Sequence, residues 1–127
     1  MIPAVLSNAG LDPSGGAGMA ADLKTATMMG TYGMAALTTV TIQHPGAVED
    51  VVPLDAGLVS AQVRTLLQHM PIDAIKLGLM GTTAIAEALI QILDDTPVPV
   101  VLDPVSQSTS GPTISDVEDE TLNRLLR

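Results

Sequence analysis

The sequence predicts an α/β fold with a mostly parallel central sheet and helices on both faces. Two observations indicate this class. Short apolar runs alternate with longer amphipathic stretches, and the runs are nearly continuous in Val, Ile and Leu, as is typical of strands buried on both faces. The chain has 127 residues, 46% of them hydrophobic, which suits one domain with its own core.

Five strands are predicted from runs of Val, Ile, Leu and Ala. These runs cover residues 2–6, 34–42, 48–53, 74–79 and 98–102. The last run ends in Asp103-Pro104, an ordinary strand terminator. Because helical patterns separate most of these runs, the strands are expected to pair in parallel through helical crossovers.

Four helices are predicted. The first three cover residues 18–29, residues 56–69, and a segment from Thr82 or Thr83 to Leu93. In the second, apolar residues recur at i, i+3 and i+4 and so share one face. After a polar loop over 106–112, Ser115 or Asp116 is expected to cap an acidic fourth helix that runs to the last residue.

The fourth helix resembles a crossover whose next parallel strand does not follow. We therefore expect residues 1–127 to be part of a larger fold. A sheet divided in this way would expose an unpaired strand edge and the apolar face formed by Leu122, Leu125 and Leu126, which favours oligomers.

Composition excludes several functional classes. The net charge is −9, and the five basic residues are scattered, so no basic stripe could bind nucleic acid or an anionic membrane. No basic leader is present and no apolar run approaches the ~18 residues of a membrane span. These features predict a cytoplasmic protein. Tyr32 is the only aromatic residue, so a flat ligand would find few stacking platforms.

The glycine-rich segment over residues 8–18 follows a strand and opens a helix, the position of a ligand-binding loop. It is not a Walker A loop, because Gly18 is followed by Met19. Residues 16–21 match the dinucleotide-binding fingerprint, although the acid expected about 20 residues later is missing. A dinucleotide site and a purely structural turn are two interpretations of this segment.

A third interpretation comes from five ordered sequence segments. They are Asp12-Pro-Ser-Gly-Gly-Ala-Gly18 with Ala21-Asp-Leu-Lys-Thr25, Tyr32-Gly-Met34 with Thr41-Ile-Gln43, Asp73-Ala-Ile-Lys-Leu-Gly-Leu-Met-Gly81, Val98-Pro-Val-Val-Leu-Asp-Pro-Val105, and Ser108-Thr-Ser-Gly111. Together they resemble the N-terminal half of the hydroxymethylpyrimidine/phosphomethylpyrimidine kinases of thiamine biosynthesis, in the ribokinase-like superfamily. The resemblance implies a three-layer ribokinase-like fold and ATP-dependent phosphorylation of 4-amino-5-hydroxymethyl-2-methylpyrimidine and its monophosphate.

The resemblance also implies a pyrimidine pocket. Its lining would be Gly10, Ala17, Asp22, Gln43, Met80 and Val105. Gln43 ends a predicted strand, and its amide can donate and accept at once, as an aminopyrimidine requires. Asp22 would bind the substrate or complement the helix N-terminus. Met80 would be a soft wall of the pocket or a plain core residue.

Asp103 is the candidate residue for the Mg²⁺ that accompanies ATP, with contact through water. Lys76, in the middle of a strand, is expected to be paired or to extend its ammonium to solvent, and Lys24 to face solvent.

The chain departs from the family in its catalytic half. Family members are about twice as long, and their second half carries the ATP-binding strands and a catalytic Cys, whereas this chain has no Cys. No catalytic residue is therefore predicted, and the chain is interpreted as a substrate-binding half that needs a complementary C-terminal half or forms a homo-oligomer. The alternatives are a non-catalytic pyrimidine-binding module and a pyridoxal kinase-like protein.

Overall fold

The computed structural model describes residues 1–105, 113 and 115–126. The strands are β1 Ala4–Leu11, β2 Tyr32–His44, β3 Ala47–Pro53, β4 Ala74–Leu77 and β5 Val100–Leu102. The helices are α1 Gly18–Met28, α2 Ala56–His69, α3 Thr83–Leu93 and α4 Asp119–Leu125. The motif at 108–111, the predicted loop at 106–112 and Arg127 lie outside the described residues.

The five strands form one sheet in the order β3-β2-β1-β4-β5. β1 pairs in parallel with β2 and β4, and β4 pairs in parallel with β5. β3 is antiparallel to β2, because only Pro45 and Gly46 separate the two strands and so short a connection can only reverse the chain. The predicted mostly parallel sheet is confirmed, with this hairpin as its antiparallel part.

Helices cover both faces of the sheet. α1 packs on β1 and β2, whereas α2 and α3 cover the opposite face and α4 packs on α3. The main core lies under α2 and α3, where Leu6, Ile75, Val59 and Leu89 are fully buried. α1 contributes no buried residue, so its face of the sheet is much less densely covered.

The glycine-rich segment is shorter than the sequence indicates. β1 does not end at Leu6 but continues to Leu11, because Ser7 and Asn8 pair with both β2 and β4. Both polar side chains are buried within the sheet, which their polarity does not predict. The turn therefore begins only at Asp12, and the strand carries Gly10 to the edge of the sheet.

The C-terminal segment corrects two predictions. α4 begins at Asp119 with Glu118 as its N-cap, rather than at Ser115 or Asp116. The backbone N–H of Asp116 instead donates to the Gly81 carbonyl at 2.9 Å, which ties the segment to the connection between β4 and α3 before the helix starts. The predicted exposed apolar face is also wrong for two of its three residues. Leu122 and Leu125 pack against the core, and only Leu126 is exposed.

The edge prediction is confirmed for the described part of the chain, where β5 is the outermost strand on its side of the sheet. Val101 on this strand is 63% exposed. None of the helices in the described ranges is long and apolar enough to cross a membrane.

Candidate substrate-binding site

A cavity of about 300 Å³ opens where β1, β2, β4 and β5 reach their carboxyl ends. Open α/β sheets bind ligands at this edge. Five of the six residues predicted for the pyrimidine pocket line the cavity, together with the predicted metal contact. They are Gly10, Ala17, Asp22, Gln43 and Val105, with Asp103 beside them. Residues far apart in sequence thus line one cavity, and its volume suits a ligand with a small ring.

The sixth predicted residue, Met80, does not line this cavity. It is 3% exposed and belongs to the hydrophobic core. Its neighbour Leu79 lines the cavity instead. Because neighbouring side chains of an extended chain point to opposite sides, Leu79 can face the cavity while Met80 packs into the core. Met80 as a substrate contact remains a prediction without geometric support.

The turn after β1 is organised by the buried carboxylate of Asp12. It accepts hydrogen bonds from the Ser14 backbone N–H and hydroxyl, at 2.8 and 2.7 Å, and from the N–H groups of Gly16 and Ala17, at 3.1 and 2.9 Å. Burial by itself raises the pKa of Asp12, but these hydrogen bonds outweigh it, with Ser14 contributing most, and leave the pKa lowered. The turn therefore carries an internal anion at neutral pH.

This internal anion bears on the dinucleotide interpretation. A pyrophosphate bound by residues 16–21 would use free N–H groups at the start of the helix. In the structure the N–H groups of Gly16 and Ala17 already donate to Asp12. Two of the donors of this segment are therefore already paired within the turn, which weakens the dinucleotide interpretation.

Two glycines bring α1 against the end of β1. Gly10 lies at an irregularity in the pairing of β1 with β2, between Ala9 and Leu11. Gly18 has φ +57°, and a Cβ atom there would collide with the carbonyl oxygen of Gly10. This close approach starts α1 at the end of β1, and the helix then places Asp22 beside Ser7 in the middle of that strand.

Asp22 is held by two partners from the sheet. The ammonium of Lys76 lies 2.8 Å from its Oδ1, and the Ser7 hydroxyl donates to its Oδ2 at 2.6 Å. Lys76 also lies 3.5 Å from Oδ2 of Asp103. The first turn of α1 contains no acidic residue, so Asp22 lies beyond the part of a helix where the dipole favours a carboxylate. The alternative role of complementing the helix N-terminus therefore has little support.

Lys76 and Ser7 were not predicted as site residues. Lys76 was expected to be paired or solvated, and the structure shows it paired. The signal in the sequence is a lysine in the middle of an otherwise apolar strand. Lys24 is exposed as expected, although its ammonium also donates to the Gly15 carbonyl.

Gln43 lies one residue before the end of β2, where the pairing with β3 is irregular between Ile42 and Gln43. Its Oε1 lies 3.1 Å from the Thr41 hydroxyl, which also lies 2.7 Å from the Leu11 carbonyl. Because a hydroxyl has one proton and the Leu11 contact is shorter, Gln43 receives little of that proton. Its amide NH₂ makes no hydrogen bond within the described residues. Gln43 thus has both donors and acceptor capacity left for a ligand.

Asp103 fits a water-mediated contact to Mg²⁺ rather than a direct metal site. Its side chain is 54% exposed and already faces the Lys76 ammonium. The described ranges contain no group of three His, Cys, Asp or Glu side chains that could hold a metal ion. Mg²⁺ keeps several waters and takes phosphate oxygens as ligands, so one carboxylate at this edge suits its outer shell.

Comparisons with known proteins identify the family of this chain. A family model described as phosphomethylpyrimidine kinase matches residues 12–126. The hydroxymethylpyrimidine/phosphomethylpyrimidine kinase of Streptomyces coelicolor is 37% identical over 98% of this chain and 47% of its own length. Its counterpart from Salmonella typhimurium is 40% identical over 95% of this chain and 47% of its own length.

Solved structures of kinases are also similar to this chain. The crystal structure of phosphomethylpyrimidine kinase from Clostridium difficile has a TM-score of 0.82 and 33% identity, over 99% of this chain and 54% of that one. A Staphylococcus aureus pyridoxal kinase in complex with AMP-PCP and pyridoxal has a TM-score of 0.73 and 39% identity over 83% of this chain. The chain spans about half the length of the curated relatives it matches. Since the family match extends over nearly all of the sequence, the chain belongs to the phosphomethylpyrimidine kinase family.

Proposed function

We propose that this chain forms the pyrimidine-binding half of a hydroxymethylpyrimidine/phosphomethylpyrimidine kinase. The observation that carries the proposal is the convergence of Gly10, Ala17, Asp22, Gln43 and Val105 on one cavity. The substrate would be 4-amino-5-hydroxymethyl-2-methylpyrimidine or its monophosphate. Curated relatives that are named as kinases of this type and are 37% and 40% identical to this chain support this assignment.

The polar groups of the cavity suit an aminopyrimidine. A ring nitrogen beside an exocyclic amine presents one acceptor and one donor, which the unpaired amide of Gln43 can match with its NH₂ and carbonyl. Asp22 can accept a further hydrogen bond, because each oxygen of a carboxylate has more than one acceptor site. Recognition would depend on these polar contacts, since Tyr32 is 55% exposed at the start of β2, the end of the strand away from Gln43.

The reaction would be transfer of the ATP γ-phosphoryl group. The bond between the γ-phosphorus and the β-bridging oxygen breaks, a bond to the hydroxymethyl oxygen forms, and the hydroxyl proton passes to a base. The residues of this chain would bind and orient the alcohol, and Asp103 would contact the Mg²⁺ of the nucleotide through water. The base and the nucleotide-binding strands would come from a complementary C-terminal half.

Two measurements on the 127-residue chain test this proposal. Isothermal titration calorimetry with 4-amino-5-hydroxymethyl-2-methylpyrimidine is expected to show one site per chain. An assay of ADP formation with this alcohol and Mg-ATP is expected to show no turnover. Absence of binding would overturn the proposed pocket, whereas turnover by the chain alone would overturn the assignment of catalysis to another half.

A complementation experiment separates a kinase half from a binding module without activity. The C-terminal half of the Streptomyces coelicolor relative, which this chain does not cover, is added to the same ADP assay. Turnover that requires both pieces supports the kinase half. If the alcohol binds but ADP never forms, the non-catalytic pyrimidine-binding module is favoured.

A pyridoxal-type alcohol is the second candidate substrate. It is favoured by the similarity to the Staphylococcus aureus pyridoxal kinase solved with pyridoxal. Titration of the chain with pyridoxal in parallel with the pyrimidine decides between them. We expect tighter binding of the pyrimidine, since only the aminopyrimidine offers the adjacent donor and acceptor that Gln43 can pair.

A further inference from the structure

Lys76 is the one cationic side chain among the described residues that line the cavity, and three carboxylates share that lining. Asp12 is satisfied by its own turn, which leaves Asp22 and Asp103 to face Lys76. The Lys76 and Asp22 side chains are 27% and 21% exposed, so their pair is partly shielded from water. Such a pair is worth more than one on an open surface.

Lys76 and Asp22 belong to structural elements of different rigidity. Lys76 belongs to β4, where it pairs with Ser7 of β1 and Val101 of β5, and its carbonyl accepts from the Asn8 amide at 3.3 Å. Asp22 belongs to α1, which contributes no buried residue and has no side-chain N-cap. Lys76 is therefore held firmly by the sheet, whereas the position of Asp22 depends on its hydrogen bonds to the sheet.

We infer that Lys76 is a positioning residue for substrate binding, which acts by fixing the carboxylate of Asp22. This inference rests on the proposed function. Lys76 bonds Oδ1 of Asp22 while Ser7 bonds Oδ2, so the carboxylate cannot rotate, and its remaining acceptor sites keep one direction. The ammonium also offsets the negative charge of Asp103, which would otherwise repel Asp22.

One class of ligand benefits from this arrangement. A fixed carboxylate favours alcohols and amines that can donate a hydrogen bond to it, because its acceptor direction is already set when the ligand arrives. A ligand without such a donor gains nothing from Lys76.

The test measures binding of 4-amino-5-hydroxymethyl-2-methylpyrimidine to the 127-residue chain by calorimetry. Lys76→Met is expected to weaken binding about tenfold or more, the scale of one hydrogen bond to a charged group. Lys76→Arg keeps the charge and donors and is expected to stay within about threefold of the parent chain. Arg64→Met, on the exposed part of α2, is the matched control and should leave the affinity unchanged.

A double-mutant cycle separates positioning from a general structural role. In the Asp22→Asn background, Lys76→Met is expected to add less than about a twofold loss, because its effect passes through Asp22. A full additional loss in that background, or unchanged binding by Lys76→Met alone, would overturn the inference. Thermal unfolding identifies any variant that does not fold, and Lys76→Gln then replaces Lys76→Met in the cycle.

Failure of the proposed function is distinguishable from failure of this inference. If the parent chain binds no pyrimidine alcohol, the proposed function is wrong and the role of Lys76 is wrong with it. If the parent chain binds and Lys76→Met binds equally well, only the role of Lys76 is wrong.

Discussion

The carboxylate of Asp12 accepts a hydrogen bond of 2.9 Å from the backbone N–H of Ala17, the N-cap residue of α1. Ala17 has no side chain that could cap its own helix. Asp12, the first residue after β1, instead binds the backbone N–H of the N-cap residue and so ties the end of β1 to the start of α1. The conformation of this connection shapes the cavity, since Ala17 and Asp12 both line it.

The first prediction concerns the stability of this turn. Asp12→Asn keeps one acceptor oxygen but loses the charge that the N–H groups of Gly16 and Ala17 share. We expect the free energy of unfolding to fall by about 1–3 kcal/mol, the scale of losing hydrogen bonds to a buried charged group. Urea denaturation measures it, with Asp95→Asn, on an exposed residue, as the control. Equal stability of the two variants would contradict the role of Asp12.

The second prediction is a dependence on pH. Because the pKa of Asp12 in the folded chain is lowered from 3.8, its ionisation stabilises the fold above that value. This contribution is lost as the pH falls from about 4 through the lower folded pKa. Unfolding free energies measured from pH 7 down to pH 3 should therefore fall less steeply in Asp12→Asn than in the parent chain. Parallel curves would contradict the prediction.

The third prediction compares two glycines that share a left-handed backbone. Gly18 and Gly30 have φ +57° and +73°, but an added Cβ meets the Gly10 carbonyl at Gly18 and nothing within 4 Å at Gly30. Gly30→Ala should cost about 1–2 kcal/mol for the backbone conformation alone. Gly18→Ala should cost clearly more and should also weaken pyrimidine binding. A Gly18→Ala chain as stable as Gly30→Ala would contradict the close approach.

The fourth prediction concerns recognition of the ring by Gln43. Gln43→Ala removes the unpaired amide, so pyrimidine affinity should fall about tenfold or more while thermal stability stays near that of the parent chain. Gln91→Ala, on an exposed position of α3, is the matched control and should bind normally. If Gln43→Ala binds the pyrimidine with unchanged affinity by calorimetry, this amide does not contact the ring.

The fifth prediction concerns the attachment of α4. Arg124 Nη1 lies 2.8 and 2.7 Å from the two carboxylate oxygens of Glu87, and the Thr121 hydroxyl donates to Oε1 at 2.8 Å. Hydrogen bonds from Thr121 and then Arg124 lower the pKa of Glu87. Glu87→Ala should speed amide hydrogen exchange within residues 119–125 and leave β1 and β4 unchanged. Faster exchange throughout the chain would instead indicate global destabilisation.

Most residues of the site were predicted from the family resemblance, but two could also be predicted from the geometry of a parallel sheet, which places ligands at one edge. Gln43 and Asp103 follow apolar runs, and this position in the sequence is enough to bring both to the carboxyl edge. Lys76 and Ser7 could not be predicted as partners of Asp22, because their meeting depends on the neighbouring positions of β1 and β4 and on where α1 begins. No local pattern encodes these distances.

The sequence by itself determined the α/β class, most elements and the family, since periodicity and ordered motifs are local properties of the chain. The tertiary structure decided three things. It extended β1 to Leu11 by pairing it with β2 and β4, buried Met80 while exposing Leu79 to the cavity, and directed the N–H groups of Gly16 and Ala17 to Asp12. The physical reason is that these features depend on contacts between residues far apart in sequence. Such contacts form only when the whole chain packs.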